Sequence, residues 1–212
     1  MRTPERSPER DAALDALLPN VPFDGWTYRA LRMGLTASGA EPEDAPLLFP
    51  GGARDMIEAF CDLADRRMEE QAAREDLRTL RIPARVRRVI AIRLEQNRGN
   101  KEAIRRALAI LAIPANAPIA AACTARTVDS IWHAAGDQAA DFSWYTKRLI
   151  LTGVYTTTML YWLRDASADD EATLAFLDRR LKDVGRITTL RRRMQSGPRF
   201  PFGPFRRSNA PG

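Results

Sequence analysis

A single histidine, His133, is the first place to look for chemistry in this chain. Asp129 stands four residues before it, so on a helix the two side chains share a face and could offer two ligands to a metal ion. Any further ligands would have to be carboxylates, and there is no Glu-x-x-His pair of the kind that builds di-metal sites in helical bundles. An ordinary polar or half-buried histidine is the expectation, and no metal is expected. The two cysteines, Cys61 and Cys123, are too far apart in sequence for a metal knuckle or a disulfide framework. Both fall in apolar stretches, which suits small buried hydrophobes in a reducing compartment. No Gly-x-Ser-x-Gly elbow, Walker loop or dinucleotide fingerprint occurs, and Gly51-Gly52 reads as a turn or helix entry. The chain is read as a non-enzyme without a cofactor.

Side chains suited to binding are better represented. Trp144 and Tyr145 follow Ser143 at a helix start, flanked by Asp141, Lys147 and Arg148. An aromatic anchor with a polar rim is the pattern of an interface hot spot, and a hydrophobic staple onto a neighbouring helix is the alternative. Leu149 to Leu163 carries no charge. It is short of the ~18–20 residues that a membrane span needs. Ile150, Val154, Tyr155, Thr158, Met159 and Trp162 could line one face of a pocket there, with Gly153 and Met159 making it adaptable. By themselves the same residues favour a close-packed core. Cations gather twice: Arg78, Arg81, Arg85, Arg87, Arg88, Arg93, Arg98 and Lys101, and then Arg191, Arg192 and Arg193 ahead of Phe200, Phe202 and Phe205. The second group interleaves cations with aromatics, which suits an anionic bilayer surface.

The elements that must carry these residues are helices. Apolar residues make up 45% of the 212, enough for a sizeable core, and their spacing is helical with no sustained period of two. A helix is expected over about 53–73, with Ile57, Phe60, Ala64 and Met68 on one stripe. Pro83 opens another, with Val86, Val89, Ile90 and Leu94 inward and Gly99 at its end. Asn100, Asn116, Ser143 and Ser167 are read as caps of the helices that follow. The net charge of +6 favours an anionic partner without choosing one. The opening residues mix Arg with Glu and Asp and read as neither a secretory signal nor a transit peptide.

Two stretches carry a family resemblance. One is Val21-Pro22-Phe23-Asp24-Gly25-Trp26, continued at Leu47-Leu48-Phe49-Pro50-Gly51-Gly52. The other is Asp141-Phe142-Ser143-Trp144-Tyr145-Thr146-Lys147-Arg148, with Tyr161-Trp162 and Ala175-Phe176-Leu177-Asp178-Arg179-Arg180 behind it. Over roughly 17–185 the chain resembles the family of coenzyme Q biosynthesis protein nine, a TetR-like lipid-binding accessory protein. The resemblance implies a dimer, an isoprenoid lipid in an apolar cavity of the C-terminal helices, and association with the hydroxylase of demethoxyubiquinone through a patch that includes Trp144 and Tyr145. It also implies membrane docking by a C-terminal amphipathic helix, from which the Pro-, Gly- and Arg-rich end of this chain departs.

The expected fold is an all-α, TetR-like helical bundle with a degenerate N-terminal helix-turn-helix. Its expected parts are a disordered 1–10, an N-terminal helical region 11–75, a C-terminal lipid-binding region 76–189 and a basic mobile tail 190–212. The expected function is to present a quinone precursor to the hydroxylase from a cytoplasmic position peripheral to a bacterial inner membrane. The alternative is a TetR-type transcription regulator with a lipid ligand. Glu41-Pro42-Glu43-Asp44-Ala45-Pro46 weighs against it, because carboxylates and prolines stand where a recognition helix needs Arg, Lys, Asn or Gln. No nucleic-acid partner is expected.

Overall fold

The computed structural model describes residues 4–136 and 143–195, with side chains from 145 to 184 in the second stretch. Ten α-helices are seen in these residues: α1 (Pro8–Leu17), α2 (Val21–Asp24), α3 (Tyr28–Ser38), α4 (Ala45–Leu48), α5 (Ala53–Ala73), α6 (Ile82–Gln96), α7 (Lys101–Leu111), α8 (Ala117–Ala134), α9 (Ser143–Trp162) and α10 (Glu171–Gln195). The all-α expectation holds.

The N-terminal unit is built on α1 and α3. Ser7 caps α1, its side chain accepting from the Arg10 amide, and Thr27 caps α3 by accepting from Ala30. The two helices cross with almost no side chain between them. A Cβ placed on Gly34 would stand 2.2 Å from the Ala16 carbonyl oxygen, so only glycine permits this approach. Gly39 closes α3 in the left-handed conformation at φ 77°. Between α3 and α5 the chain makes a 3-10 turn, Pro42–Asp44, and the single turn of α4, because Pro42 and Pro46 interrupt any longer helix.

The long helix α5 joins this unit to the rest. It meets α1 through the ion pairs of Arg66 with Asp11 and Arg67 with Asp15, and Asp62 of α5 also holds Arg6, just ahead of α1, and Arg66. Its inner stripe, Ile57, Phe60, Ala64 and Met68, is buried as expected. Helices α6 and α8 pack on that stripe, α9 lies on α8, and α10 covers α9 and α6. Tyr161 and Phe176 stack with centroids 4.6 Å apart and join α9 to α10.

Helix termini differ in detail from the sequence expectation. The side chain of Asn100 makes no capping bond, and Asn116 donates instead to the Ile110 carbonyl at 2.7 Å. Ser167 does accept, from Ala172, but Asp165 supplies more: it takes the amides of Ser167 and Thr173 and the Thr173 hydroxyl. Helix α10 runs to Gln195, so Arg191, Arg192 and Arg193 stand on its last turns and not in a tail. No single helix is long and apolar enough to cross a membrane among the described residues.

Candidate functional site

Helices α5 to α9 enclose a cavity of about 350 Å³. That lies at the small end of ligand pockets, which run from ~300 to ~1,000 Å³. The walls are largely apolar: Phe60 and Ala64 from α5, Ile104, Leu108 and Leu111 from α7, and Met159 and Leu160 from α9. Ala112, Thr156 and Leu160 are exposed and mark the mouth, with exposed Ile113 beside it.

One part of the lining, its floor, is polar. Arg93 of α6 is 6% exposed and its Nη1 lies 2.6 Å from the equally buried Asp65 of α5. Arg93 Nε donates to the Tyr155 hydroxyl at 2.8 Å, and Nη2 reaches Thr127 Oγ1 at 3.5 Å. Thr127 in turn donates to Asp65 at 3.1 Å, and Asn97 donates to the Arg93 carbonyl at 2.8 Å. Burial pushes the Asp65 carboxyl up to about 6, against the pull of Arg93 and Thr127. Despite its own burial, Arg93 is held above the ordinary guanidinium range by Asp65 and Tyr155, so it stays charged. Burial raises the Tyr155 hydroxyl, which keeps its proton.

Cys61 and Cys123 also line the cavity as free cysteines, and their thiols interact. That interaction, with burial, pushes Cys61 up; the interaction also holds Cys123 below the ordinary thiol range, helped by Arg126, whose Nη2 lies 3.4 Å from the Cys123 sulfur.

Of the residues expected on the pocket face of α9, Tyr155, Met159 and Trp162 line this cavity together with Thr156 and Leu160. Ile150, Val154 and Thr158 do not. Val154 and Thr158 are buried among helices, and Ile150 is half-buried one turn nearer the start of α9. Sequence reasoning missed Arg93 and Asp65. Arg93 stands in a run of cations in the sequence, yet it sits inside Val89-Ile90-Ala91-Ile92-Arg93-Leu94, where every neighbour is buried. Asp65 lies directly beside the α5 stripe. Two opposite charges on the inward faces of successive helices were the available signal.

Most of that run of cations is matched internally. Arg87 pairs with Asp178, Arg88 with Glu75 and Glu95, Arg98 with Asp169 and Asp170, and Lys101 with Asp170. Asp129 pairs with Arg148, and His133 is exposed at the end of α8. No group of three or more possible metal-ligating side chains is found among the described residues.

Tyr145 is 72% exposed at the start of α9, and Leu149 one turn on is 75% exposed. Lys147 Nζ stands 5.9 Å from the Trp132 ring centre. Trp144 lies on the first turn of α9. Asp141, Phe200, Phe202 and Phe205 fall outside the described residues.

The fold and sequence comparisons agree with this architecture. The crystal structure of the TetR transcriptional regulator from Nitrosomonas europaea ATCC 19718 superimposes with a TM-score of 0.67 at 23% identity, covering 83% of this chain and 97% of that one. The chain is thus TetR-like in fold. In the segment between α3 and α5, Glu41, Glu43 and Asp44 are all exposed. Residues 117–188 match the family model COQ9. "Ubiquinone biosynthesis protein COQ9, mitochondrial" of Rattus norvegicus is 34% identical over 178 residues, covering 81% of this chain and 57% of that protein. The Homo sapiens protein is 32% identical, with 81% and 56% covered. The chain therefore spans little more than half the length of these animal relatives. The Schizosaccharomyces pombe protein, "Ubiquinone biosynthesis protein coq9, mitochondrial", is 30% identical over 190 residues, covering 89% of this chain and 75% of that protein. With that degree of identity sustained over three quarters of the fission yeast protein, the chain belongs to the COQ9 family.

Proposed function

We propose that this protein is an accessory factor of ubiquinone biosynthesis that holds an isoprenoid lipid or quinone precursor and presents it to the demethoxyubiquinone hydroxylase. The observation that carries the reading is the cavity of about 350 Å³, apolar along its walls and open through a mouth at Ala112, Thr156 and Leu160, with exposed Ile113 beside it. A long polyprenyl tail exceeds that volume, so the cavity takes one end of the molecule and the remainder leaves by the mouth. A water-insoluble substrate carried in this way meets its enzyme without crossing free solvent.

Docking is assigned to the start of α9. Exposed Tyr145 and Leu149 share a face one helical turn apart, with Lys147 and Arg148 half-buried beside them, and the proposed patch includes Trp144 and Asp141 of the same sequence motif. Membrane contact is assigned to Arg191, Arg192 and Arg193 together with Phe200, Phe202 and Phe205. The working form is a homodimer. DNA binding is disfavoured: exposed Glu41, Glu43 and Asp44 would repel phosphates on a segment reduced to a 3-10 turn and one turn of helix.

The test is native mass spectrometry of the protein purified from its own host, with extraction and identification of bound lipid. Co-purified isoprenoid quinones or their precursors support the reading. A lipid-free protein that shifts duplex DNA from its own upstream region overturns it.

A further inference from the structure

We propose that the floor of the cavity is a head-group subsite for the neutral, oxygen-bearing end of an amphipathic ligand, such as a quinone, phenol or ester carbonyl, and that it discriminates against anionic heads. The inference deepens the lipid-carrier reading and rests on it.

The argument is an account of donors and charge. A guanidinium has five N–H donors. Arg93 commits one to Tyr155, one to Asp65 and one, at 3.5 Å, to Thr127. That leaves two N–H groups on a buried cation with no partner among the described residues, at the lining of a cavity. The Tyr155 hydroxyl accepts from Arg93, so its own hydrogen is free to be donated, and no acceptor for it occurs among the described residues. The Asp65 carboxylate is held on one oxygen by the ion pair with Arg93 and on the other by the Thr127 hydroxyl. The floor thus offers unsatisfied donors on Arg93 and Tyr155, beside the side-chain amide of Asn97. Buried donors without partners are rare in native proteins, and a ligand oxygen is what would satisfy these.

Charge sets the class of head. Asp65 neutralises Arg93, and Lys101 and Arg126 are engaged elsewhere, with Asp170 and Glu58. A carboxylate or phosphate arriving at Tyr155 would set a second negative charge beside Asp65 in a poorly solvated floor, with no cation left for it. A quinone or carbonyl oxygen brings lone pairs without that charge. It enters head first, its chain running past Leu108, Leu111 and Met159 to the mouth. The ring is sheltered in this carrier state and reaches an enzyme only after leaving the floor.

The test compares three probes that share one short prenyl chain: one ending in a benzoquinone, one in a methyl group and one in a carboxylate. Binding to the full chain is titrated by calorimetry at pH 7.5. The quinone is expected to bind at least tenfold tighter than either of the others. Tyr155→Phe should lower quinone affinity about tenfold while leaving the methyl-ended chain unchanged, which also shows that the cavity is intact. Equal binding of quinone and methyl-ended chains by the wild type overturns the head-group subsite and leaves the carrier reading standing. Tightest binding of the carboxylate overturns the charge argument and the subsite with it. No binding of any probe overturns both readings.

Discussion

The buried pair Asp65 and Arg93 makes a quantitative claim about acid. Asp65 titrates at about 6 in the folded protein. Its unfolded value is near 3.9, that of a free aspartate. A carboxyl whose folded value is raised contributes stability that is fully present below the unfolded value and is lost as pH rises through the folded one. Between the two values the folded state holds a proton that the unfolded chain has released. Acidification from pH 7 to pH 5 should therefore add about 1.3 kcal/mol through this group alone. Many other carboxyls titrate over the same range. Asp62 and Asp170 lie below the usual carboxylate range because Arg6, Arg66, Arg98 and Lys101 outweigh their burial, and their contributions are lost as pH falls. The clean comparison is with Asp65→Asn, which keeps the shape and cannot titrate, so the other groups cancel. Thermal melts of lipid-free protein followed by circular dichroism, at pH 7 and pH 5, give four midpoints. The wild type should gain about 3–5 °C on the variant between the two pH values. The absolute offset at pH 7 does not enter. A wild type that loses ground on acidification would refute the reasoning: Arg93 would then outweigh burial, with Asp65 an ordinary ion-paired carboxylate.

Two further outcomes follow from the fold. Gly34→Ala should destabilise the protein by about 2 kcal/mol in urea titrations, because displacing the Ala16 backbone outweighs the ~1 kcal/mol that alanine gains in helix propensity; a more stable variant would show that α1 and α3 are not in contact there. Asp165→Ala removes the acceptor for the Ser167 and Thr173 amides at the start of α10 and should cost about 1–2 kcal/mol at pH 7. Against the opposing effect of burial, those hydrogen bonds hold the Asp165 carboxyl well below its usual range, so the cost should shrink as pH falls toward that depressed value.

Where one helix face decided burial, the sequence was readable. The α5 stripe and the inward residues of α6 follow directly from helical spacing, as does the break at Pro42 and Pro46. Helix ends were harder. Asn100 and Asn116 have the composition of caps, but their side chains bond elsewhere or make no capping bond, because several geometries satisfy an amide equally well. The cavity was half legible. Tyr155, Met159 and Trp162 lie on one face of α9 and could be picked out. Cys61, Arg93, Asn97 and Thr127 come from three other helices, and nothing in local spacing says that they converge. Arg93 was the hardest, since a cation in a run of cations reads as surface until its partner across the helix pair is known.

Trp26 gives the N-terminal unit a mechanical role. Its indole Nε1 donates to the Ala103 carbonyl on the first turn of α7 at 2.9 Å, and its ring meets that of Phe60 at 5.5 Å. Phe60 and α7 both form cavity wall. Occupancy that pushes α7 outward must therefore either drag Trp26 along or break its hydrogen bond. Any displacement of α7 would thus be felt by the first three helices through one hydrogen bond and one ring contact.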